Sequence, residues 1–334
     1  MKKSLLALAL LGAFAGVAHA QSAVVIYGTL DAGFSKRTDS TLAIGKRDNN
    51  KLGFKGTEDL GNGLKALFQL EIRYEPDTGT LEGGSRPLFQ GQSRVGLQGD
   101  FGMVRLGRGL TAYQESSTQF EPWNGIPTPA GFQTDLMVAG YSSDPLSAAG
   151  NSGNRFSNAF FYNSPVFSGF QANVTVGTKE ANGGAAVAPK YPANAEAGSN
   201  PYSFSGTYQN GPVAAMVALE RNAVETRMFS VAGSVMAMPD LKLMGSYEKQ
   251  NQDRTKVTNS VTKAWVIGAN YTIGGGKMLF GMGQKAPDGV AKTKQYSLGY
   301  EYSLSKRTYV YTDISRKKQA TGVSFYSLGV HHNF

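Results

Sequence analysis

The chain has 334 residues, 33 Lys and Arg against 24 Asp and Glu, a formal net charge of +9, and no cysteine. It must therefore be stable without disulfides, and its basic excess does not indicate a nucleic-acid partner, because no basic run is longer than Arg316-Lys317-Lys318. With 42 Gly, 16 Tyr and 18 Phe and no apolar run of helix-spanning length beyond the first twenty residues, the composition excludes a helical membrane protein and favours short strands.

At the N-terminus, Lys2 and Lys3 precede an apolar stretch from Leu5 to Val17 and the small-x-small site Ala18-His19-Ala20. This pattern predicts a secretory leader over 1–20, with the mature chain starting at Gln21; the apolar stretch is too short to cross a bilayer as a helix. From there to the last residue the dominant signal is period-two alternation. Phe170, Ala172, Val174 and Val176 share one face against Gln171, Asn173, Thr175 and Gly177. Trp265, Ile267, Ala269, Tyr271 and Ile273 oppose Gly268, Asn270 and Thr272, and Tyr296, Leu298, Tyr300, Tyr302 and Leu304 oppose Gln295, Ser297, Gly299, Glu301 and Ser303.

In chain order the pattern predicts strands over 23–35, 51–58, 63–74, 92–99, 102–109, 154–163, 169–178, 202–209, 212–221, 226–236, 241–250, 262–273, 276–285, 293–304, 306–315 and 323–334. Tyr309 and Tyr311 fit either face, and Leu42 to Lys46 could extend a neighbouring strand. Connections alternate between tight turns such as Gly99-Asp100-Phe101-Gly102 and Asn210-Gly211-Pro212 and long loops such as 36–50, 75–91, 179–201 and 251–261. Short turns on one rim and long loops on the other fit a bacterial outer-membrane barrel better than a soluble sandwich, with both termini on the periplasmic side. A chain that crosses hydrocarbon without apolar helices must close its sheet. The predicted fold is all-β, a 16-stranded antiparallel transmembrane barrel. Strands ~4.8 Å apart and tilted ~40° give a diameter of roughly 32 Å, too wide for side chains to fill.

One connection, about 110–153, is far longer than an ordinary loop and carries Glu115, Glu121, Asp135 and Asp144 but no Lys or Arg. Arg105 and Arg108 precede it and Arg155 follows it. Strand parity places Lys51, Lys55, Lys65, Glu71, Arg73, Arg94 and Arg105 on the inward face, since a cation at the bilayer midplane on the lipid face costs ~2–4 kcal/mol. The expected site is a pore constriction in which the long loop folds into the lumen and sets Glu115, Glu121 and Asp135 against a basic wall of Lys51, Arg73, Arg94, Arg105 and Arg155. Opposed charge rows order water and favour one sign of ion, and the net basic lumen predicts a preference for anions.

Several segments carry a resemblance. Val25-Ile26-Tyr27-Gly28-Thr29-Leu30-Asp31, Leu52-Gly53-Phe54-Lys55-Gly56-Thr57-Glu58-Asp59-Leu60-Gly61-Asn62-Gly63, Leu106-Gly107-Arg108 and Tyr162-Asn163-Ser164-Pro165 make the whole mature chain resemble the general trimeric porins of β-proteobacteria. The resemblance implies a homotrimer, the third loop inside the barrel, passive passage of small ions and hydrophilic solutes, and constriction arginines at Arg94 and Arg155. Lys51 stands where the family often has Arg, keeping the charge without the planar fork. On the final strand Tyr326, Leu328, Val330, His332 and Phe334 share a face, and the terminal Phe334 resembles the signal read by the barrel-assembly machinery. The other partners expected of such a protein are outer-membrane lipid and lipopolysaccharide.

No enzyme, cofactor or metal site is expected. Beyond His19 in the leader, the histidines are the neighbours His331 and His332, whose side chains point to opposite faces, and no cysteine is present. The alternative to general diffusion is a channel selective for small anions, aromatic acids or sugars, in which Tyr113, Phe120, Trp123 and Phe132 form an aromatic track; the plainer reading is that they anchor the loop to the wall.

Overall fold

A computed structural model describes residues 23–84, 86–145, 152–178, 199–252 and 260–334. The expected leader over 1–20 lies outside the described residues, as does most of the loop 179–201 and of 251–261. The strands are β1 (Ala23–Arg37), β2 (Ala43–Gly45), β3 (Lys51–Gly61), β4 (Leu64–Arg73), β5 (Gln92–Gly99), β6 (Gly102–Leu110), β7 (Arg155–Asn163), β8 (Phe170–Gly177) and β9 (Tyr202–Asn210). They continue as β10 (Val213–Arg221), β11 (Arg227–Met238), β12 (Leu241–Asn251), β13 (Val261–Ile273), β14 (Gly276–Pro287), β15 (Thr293–Ser303), β16 (Thr308–Lys318) and β17 (Gly322–Asn333). Each wall strand pairs antiparallel with its sequence neighbours, and β17 returns to β1 in register from Thr29↔Asn333 to Arg37↔Phe325. The sheet is thereby closed, with sixteen strands in the wall and β2 as a short addition.

That addition resolves the expectation for Leu42 to Lys46. The first half of β1 pairs with β3, from Ala23↔Thr57 to Thr29↔Lys51, and β2 covers part of the same edge farther along, from Gly33↔Gly45 to Ser35↔Ala43. The long-loop end of β1 therefore keeps partners on both sides, as a strand in a hydrocarbon setting requires. At the opposite rim the turn between β3 and β4 runs through left-handed backbone at Gly61, Asn62 and Gly63, with φ of 86°, 51° and 77°, which favours Gly and Asn there.

Alternation sorts the side chains inside out relative to a soluble protein. Outward positions are exposed and apolar, as at Val95, Leu106, Ile267, Leu298, Ile314 and Leu328, while their strand neighbours Arg94, Arg105, Val266, Ser297, Asp313 and Ser327 are buried on the inner side. Tyr309 and Tyr311 share the inward parity of Asp313: the Tyr311 hydroxyl donates to Asp31 at 2.9 Å, and the Tyr309 ring stacks on His331 at 4.5 Å. His331 in turn lies 3.1 Å from Asp31, so a polar cluster holds the seam where β17 meets β1. At the end of that seam Gly28 and Phe334 exchange both backbone hydrogen bonds, and the Phe334 ring occupies the space a Gly28 Cβ would need.

Ile267 sits at the middle of β13 on the outer face and is 48% exposed. Ile267→Arg is expected to lower stability by about 2 to 4 kcal/mol when the barrel is unfolded from lipid vesicles with denaturant. An unchanged unfolding midpoint would contradict the lipid-facing assignment of this row.

Candidate functional site: the long loop and the basic wall

After β6 the chain makes a short helix, α1 (Ala112–Ser117), capped by Thr111, whose hydroxyl oxygen accepts from the Gln114 N–H at 3.3 Å. A helix this short leaves its first N–H groups without internal partners. The inner wall supplies them: Ala112 N–H donates to Thr175 Oγ1 and Tyr113 N–H to Ser203 Oγ, each at 3.0 Å. Thr111 Oγ1 also donates to Glu220 at 2.5 Å, and the hydroxyls of Ser116 and Ser205 meet at 2.8 Å.

Beyond α1 the loop lies along the inward face of the later strands. Four inward positions on β13, β14 and β15 are glycine, and the loop fills the space their side chains would take. A Cβ at Gly268 would stand 2.2 Å from Pro122, at Gly281 2.4 Å from Phe132, at Gly283 3.1 Å from Leu136 and at Gly299 3.1 Å from Trp123. Tyr113, Phe120, Trp123, Phe132, Leu136 and Met137 are buried there with Met216, Met228, Val266 and Leu279 of the wall. The four aromatic residues therefore serve as anchors, and their burial leaves no exposed track for a solute. Polar ties fix the loop's backbone: Gln295 Nε2 donates to the carbonyl of Gly131 at 2.9 Å, Gln250 Nε2 to that of Ala139 at 2.8 Å, and Lys242 Nζ to that of Gln119 at 3.0 Å. The Trp123 indole N–H donates to Asp313 at 2.9 Å, and Asp135 is clamped between the ammonium groups of Lys285 and Lys317.

On the other side of the loop stands the early wall. Arg94 on β5 and Arg105 on β6 both reach toward Glu115 of α1, with closest N···O distances of 3.8 Å and 3.4 Å. The Phe161 ring lies beneath both guanidinium groups, at 5.3 Å and 5.8 Å from their centres. Arg94 is further oriented by Gln69 at 3.0 Å, whose amide also donates to Tyr27 at 2.8 Å, and Lys55 Nζ lies 5.1 Å from the Tyr27 ring. Among the described residues no carboxylate lies within ion-pair distance of Lys51 or Lys55. A cavity of about 310 Å³ opens beside this group, lined by Arg105, Glu115, Gln119, Asn163, Asn173 and Thr207.

A Gram-negative porin profile matches residues 7–322. Among relatives, an outer membrane porin protein of Delftia acidovorans is 31% identical over 368 aligned residues, covering 99% of this chain and 94% of the relative. An outer membrane porin protein of Bordetella pertussis is 28% identical, with 93% of each chain covered. The chain belongs to the Gram-negative porin family. An anion-selective porin from Comamonas acidovorans superposes with a TM-score of 0.78 at 25% identity, over 94% of this chain and 100% of that one. A trimer form of OmpT of Vibrio cholerae has the same fold, with a TM-score of 0.69 at 13% identity over 94% of this chain and 99% of that one. This porin is accordingly an outer-membrane diffusion channel for small hydrophilic solutes, and its relatives are channels rather than enzymes.

The porin brings together Arg94, Arg105 and Glu115 of the residues singled out from sequence; the others lie elsewhere. Lys51 sits on the inward face opposite both Thr29 and Arg73. Arg73 pairs with its own neighbour Glu71 at 3.3 Å. Arg155, 1% exposed, is absorbed by the carbonyl of Gly91 at 2.6 Å and by Ser152 and Asn154, so it ties the end of the long loop to the preceding one. Asp135 faces the late wall. Glu121 is 0% exposed and accepts from the loop's own N–H groups of Trp123 at 3.1 Å and Gly125 at 2.5 Å.

Arg47 was not anticipated from the sequence. It comes from the first long loop, where strand parity gives no direction, and inserts its guanidinium between Glu301 and Asp313 at 2.9 Å each, over the Tyr311 ring at 4.5 Å. The signal that could have found it is the pair of inward carboxylates at Glu301 and Asp313, which require a cation in a low-dielectric wall. Because Asp313 also holds Trp123, Arg47 couples the first loop to the third.

Two loop carboxylates, the half-buried Asp135 and the fully buried Glu121, respond oppositely to their surroundings. For Asp135, burial works against ionisation, but the bonds from Lys285 and Lys317 overcome it and hold the group below its ordinary value. For Glu121, burial dominates the backbone bonds and pushes it up to about 7 from an ordinary 4.5. A carboxyl whose folded value is raised stabilises the docked loop fully below the free value. That contribution falls as pH rises from about 4.5 to about 7, by on the order of 3 kcal/mol, and is level beyond. Trp123 fluorescence should therefore report a looser loop on raising the pH through this window, and Glu121→Gln should flatten the response. A persisting slope in that variant assigns the titration elsewhere.

The glycine trough gives a second expectation. Gly281→Val places a side chain where the Phe132 ring now sits, at a cost of about 1 to 3 kcal/mol, and should raise open-channel noise in single-channel records. Records as quiet as the parent's would mean that the loop does not depend on this seat.

Proposed function

We propose that this porin prefers anions, that its narrowest passage runs between α1 and the early wall, and that Arg94, Arg105 and Glu115 set the selectivity there. The observation that carries this reading is the charge imbalance on the side of the loop away from its docking trough. Arg94, Arg105, Lys51 and Lys55 face inward on β3, β5 and β6, and the loop presents the single carboxylate Glu115 to them. On the docking side the loop's Asp135 is paired with Lys285 and Lys317, and Arg47 and Lys277 are paired with Glu301. Unbalanced positive charge is thus concentrated where solute passes, and such a field raises the local concentration of anions. The superposable Comamonas acidovorans protein is an anion-selective porin, which supports the same sign.

The channel works by exclusion and steering. Polar groups fixed across the passage replace part of a hydrated ion's solvation, whereas an apolar solute has nothing to exchange for the water it displaces. With the loop aromatics seated in the wall, flux should rise linearly with solute concentration, as general diffusion requires. The working assembly is a homotrimer, in line with the trimer form of the Vibrio cholerae neighbour, inserted by the barrel-assembly machinery among outer-membrane lipid and lipopolysaccharide.

Planar-bilayer recording across a salt gradient tests the selectivity. The parent should show a reversal potential of anionic sign, and the double substitution Arg94→Gln with Arg105→Gln should move it toward the cationic side. Glu115→Gln should move it the other way. If both variants shift it in the same direction, or neither does, the assignment of these three residues fails.

A further inference from the structure

We propose that a chamber at the long-loop mouth of the lumen binds small carboxylates that carry an apolar or aromatic body, with Arg37 as the recognising cation. The site uses none of Arg94, Arg105 and Glu115, so it stands whether or not those three set the ion preference.

The chamber holds about 470 Å³ between the third loop and the seam of the barrel. Three adjacent strands build its wall in register. Ser315 on β16 stands opposite Phe325 on β17, Phe325 stands opposite Arg37 on β1, and one inward position nearer the loops Lys317 stands opposite Val323. Pro127, Pro129 and Thr134 of the third loop close the other side. That side is fixed in advance of any ligand: the Pro129 carbonyl accepts from Gln295 Nε2 at 3.1 Å and from Ser315 Oγ at 3.3 Å, and Lys285 and Lys317 clamp Asp135 beside Thr134. No described residue of the lining belongs to β3, β5, β6 or α1, so an occupied chamber leaves the proposed passage and its linear flux in place.

The lining defines both ends of the ligand. Phe325, Val323, Pro127 and Pro129 present hydrocarbon, whereas deeper along the same strands the inward positions are Asp31, Asp313, Ser327 and His331. A ring laid against these four leaves water without giving up hydrogen bonds, and the volume, toward the small end of the ~300–1,000 Å³ usual for ligand pockets, suits one ring rather than a chain of them. The head must be a carboxylate, because Arg37 already holds one. Its Nε and Nη2 donate to the two oxygens of Asp39 at 3.0 Å and 2.9 Å, the parallel fork by which a guanidinium recognises a carboxylate. Asp39 comes from the turn two residues on and is not part of the lining. With side chains 48% and 51% exposed, the pair is weak and exchangeable. A solute carboxylate can therefore take the place of Asp39 on the fork, while Lys317 stays committed to Asp135.

The test titrates the full barrel in detergent with benzoate, acetate and benzamide, read by saturation-transfer NMR on the probe protons. Benzoate should bind, and acetate, which lacks the ring, and benzamide, which lacks the charge, should each bind about tenfold more weakly. Arg37→Gln should weaken benzoate about tenfold, and Arg37→Lys by less. Asp39→Asn removes the internal competitor and should tighten benzoate by up to about fivefold. Val323→Asn should narrow the gap between benzoate and acetate. Unchanged benzoate affinity in Arg37→Gln or in Asp39→Asn, or equal binding of benzoate and benzamide, overturns the site. The combined Arg94→Gln and Arg105→Gln variant should still bind benzoate; loss of binding there places the probe in the constriction and also overturns the chamber. The sign of the chloride reversal potential tests the constriction reading by itself, so the two failures are separable.

Discussion

The constraint on which the rest of this porin depends is that a backbone crossing hydrocarbon must satisfy its own hydrogen bonds. For a chain without long apolar helices this forces a closed ring, and closure forces strict parity, because a slip of one residue would turn a whole row of side chains from lipid to lumen. The seam at β1 shows how far the requirement reaches. β3 begins too late to cover the whole of β1, so a three-residue strand from the first loop continues that edge, and the terminal residue exchanges a pair of hydrogen bonds with Gly28.

Parity also creates the problem that the third loop solves. A sixteen-stranded ring leaves a lumen lined by small and polar side chains, with little to hold a 44-residue connection against it beyond what the wall itself provides. Here the wall provides a trough: inward glycines at Gly268, Gly281, Gly283 and Gly299 let Pro122, Phe132, Leu136 and Trp123 approach the sheet closely. Dispersion and apolar burial then act inside a barrel whose interior is otherwise polar. The late strands are thus given over to seating the loop, and the early strands keep their charged side chains for the proposed passage.

How much of this is legible in the sequence follows from which parts obey a period. The strand pattern does, and no strand end differs by more than three residues from its expected place. The inward direction of Arg94 and Arg105 was legible for the same reason, since each sits on a regular strand between apolar outward neighbours. Arg155 shared the charge but stands at the first residue of β7, where the loop's own oxygens capture it. Loop residues obey no period, so sequence could group Glu115, Glu121 and Asp135 by charge but could not tell which way each points. Arg47 was illegible on the same ground, and the trough glycines were lost among the 42 in the chain because their meaning lies in what stands opposite them.

Glu115, Glu121 and Asp135 show why direction matters more than count. Glu121 turns inward on its own backbone, away from the proposed passage. Asp135 lies between two lysines of the late wall and cancels positive charge on that side. Glu115 alone reaches the early wall, where it meets two arginines and leaves Lys51 and Lys55 uncompensated. Had all three faced the early wall, three carboxylates would stand against the four cations there and the late-wall lysines would be left free, and the field across the proposed passage would be weak. The polarity proposed for this pore therefore arises from how the loop is seated, and the seating arises from where the wall lacks side chains.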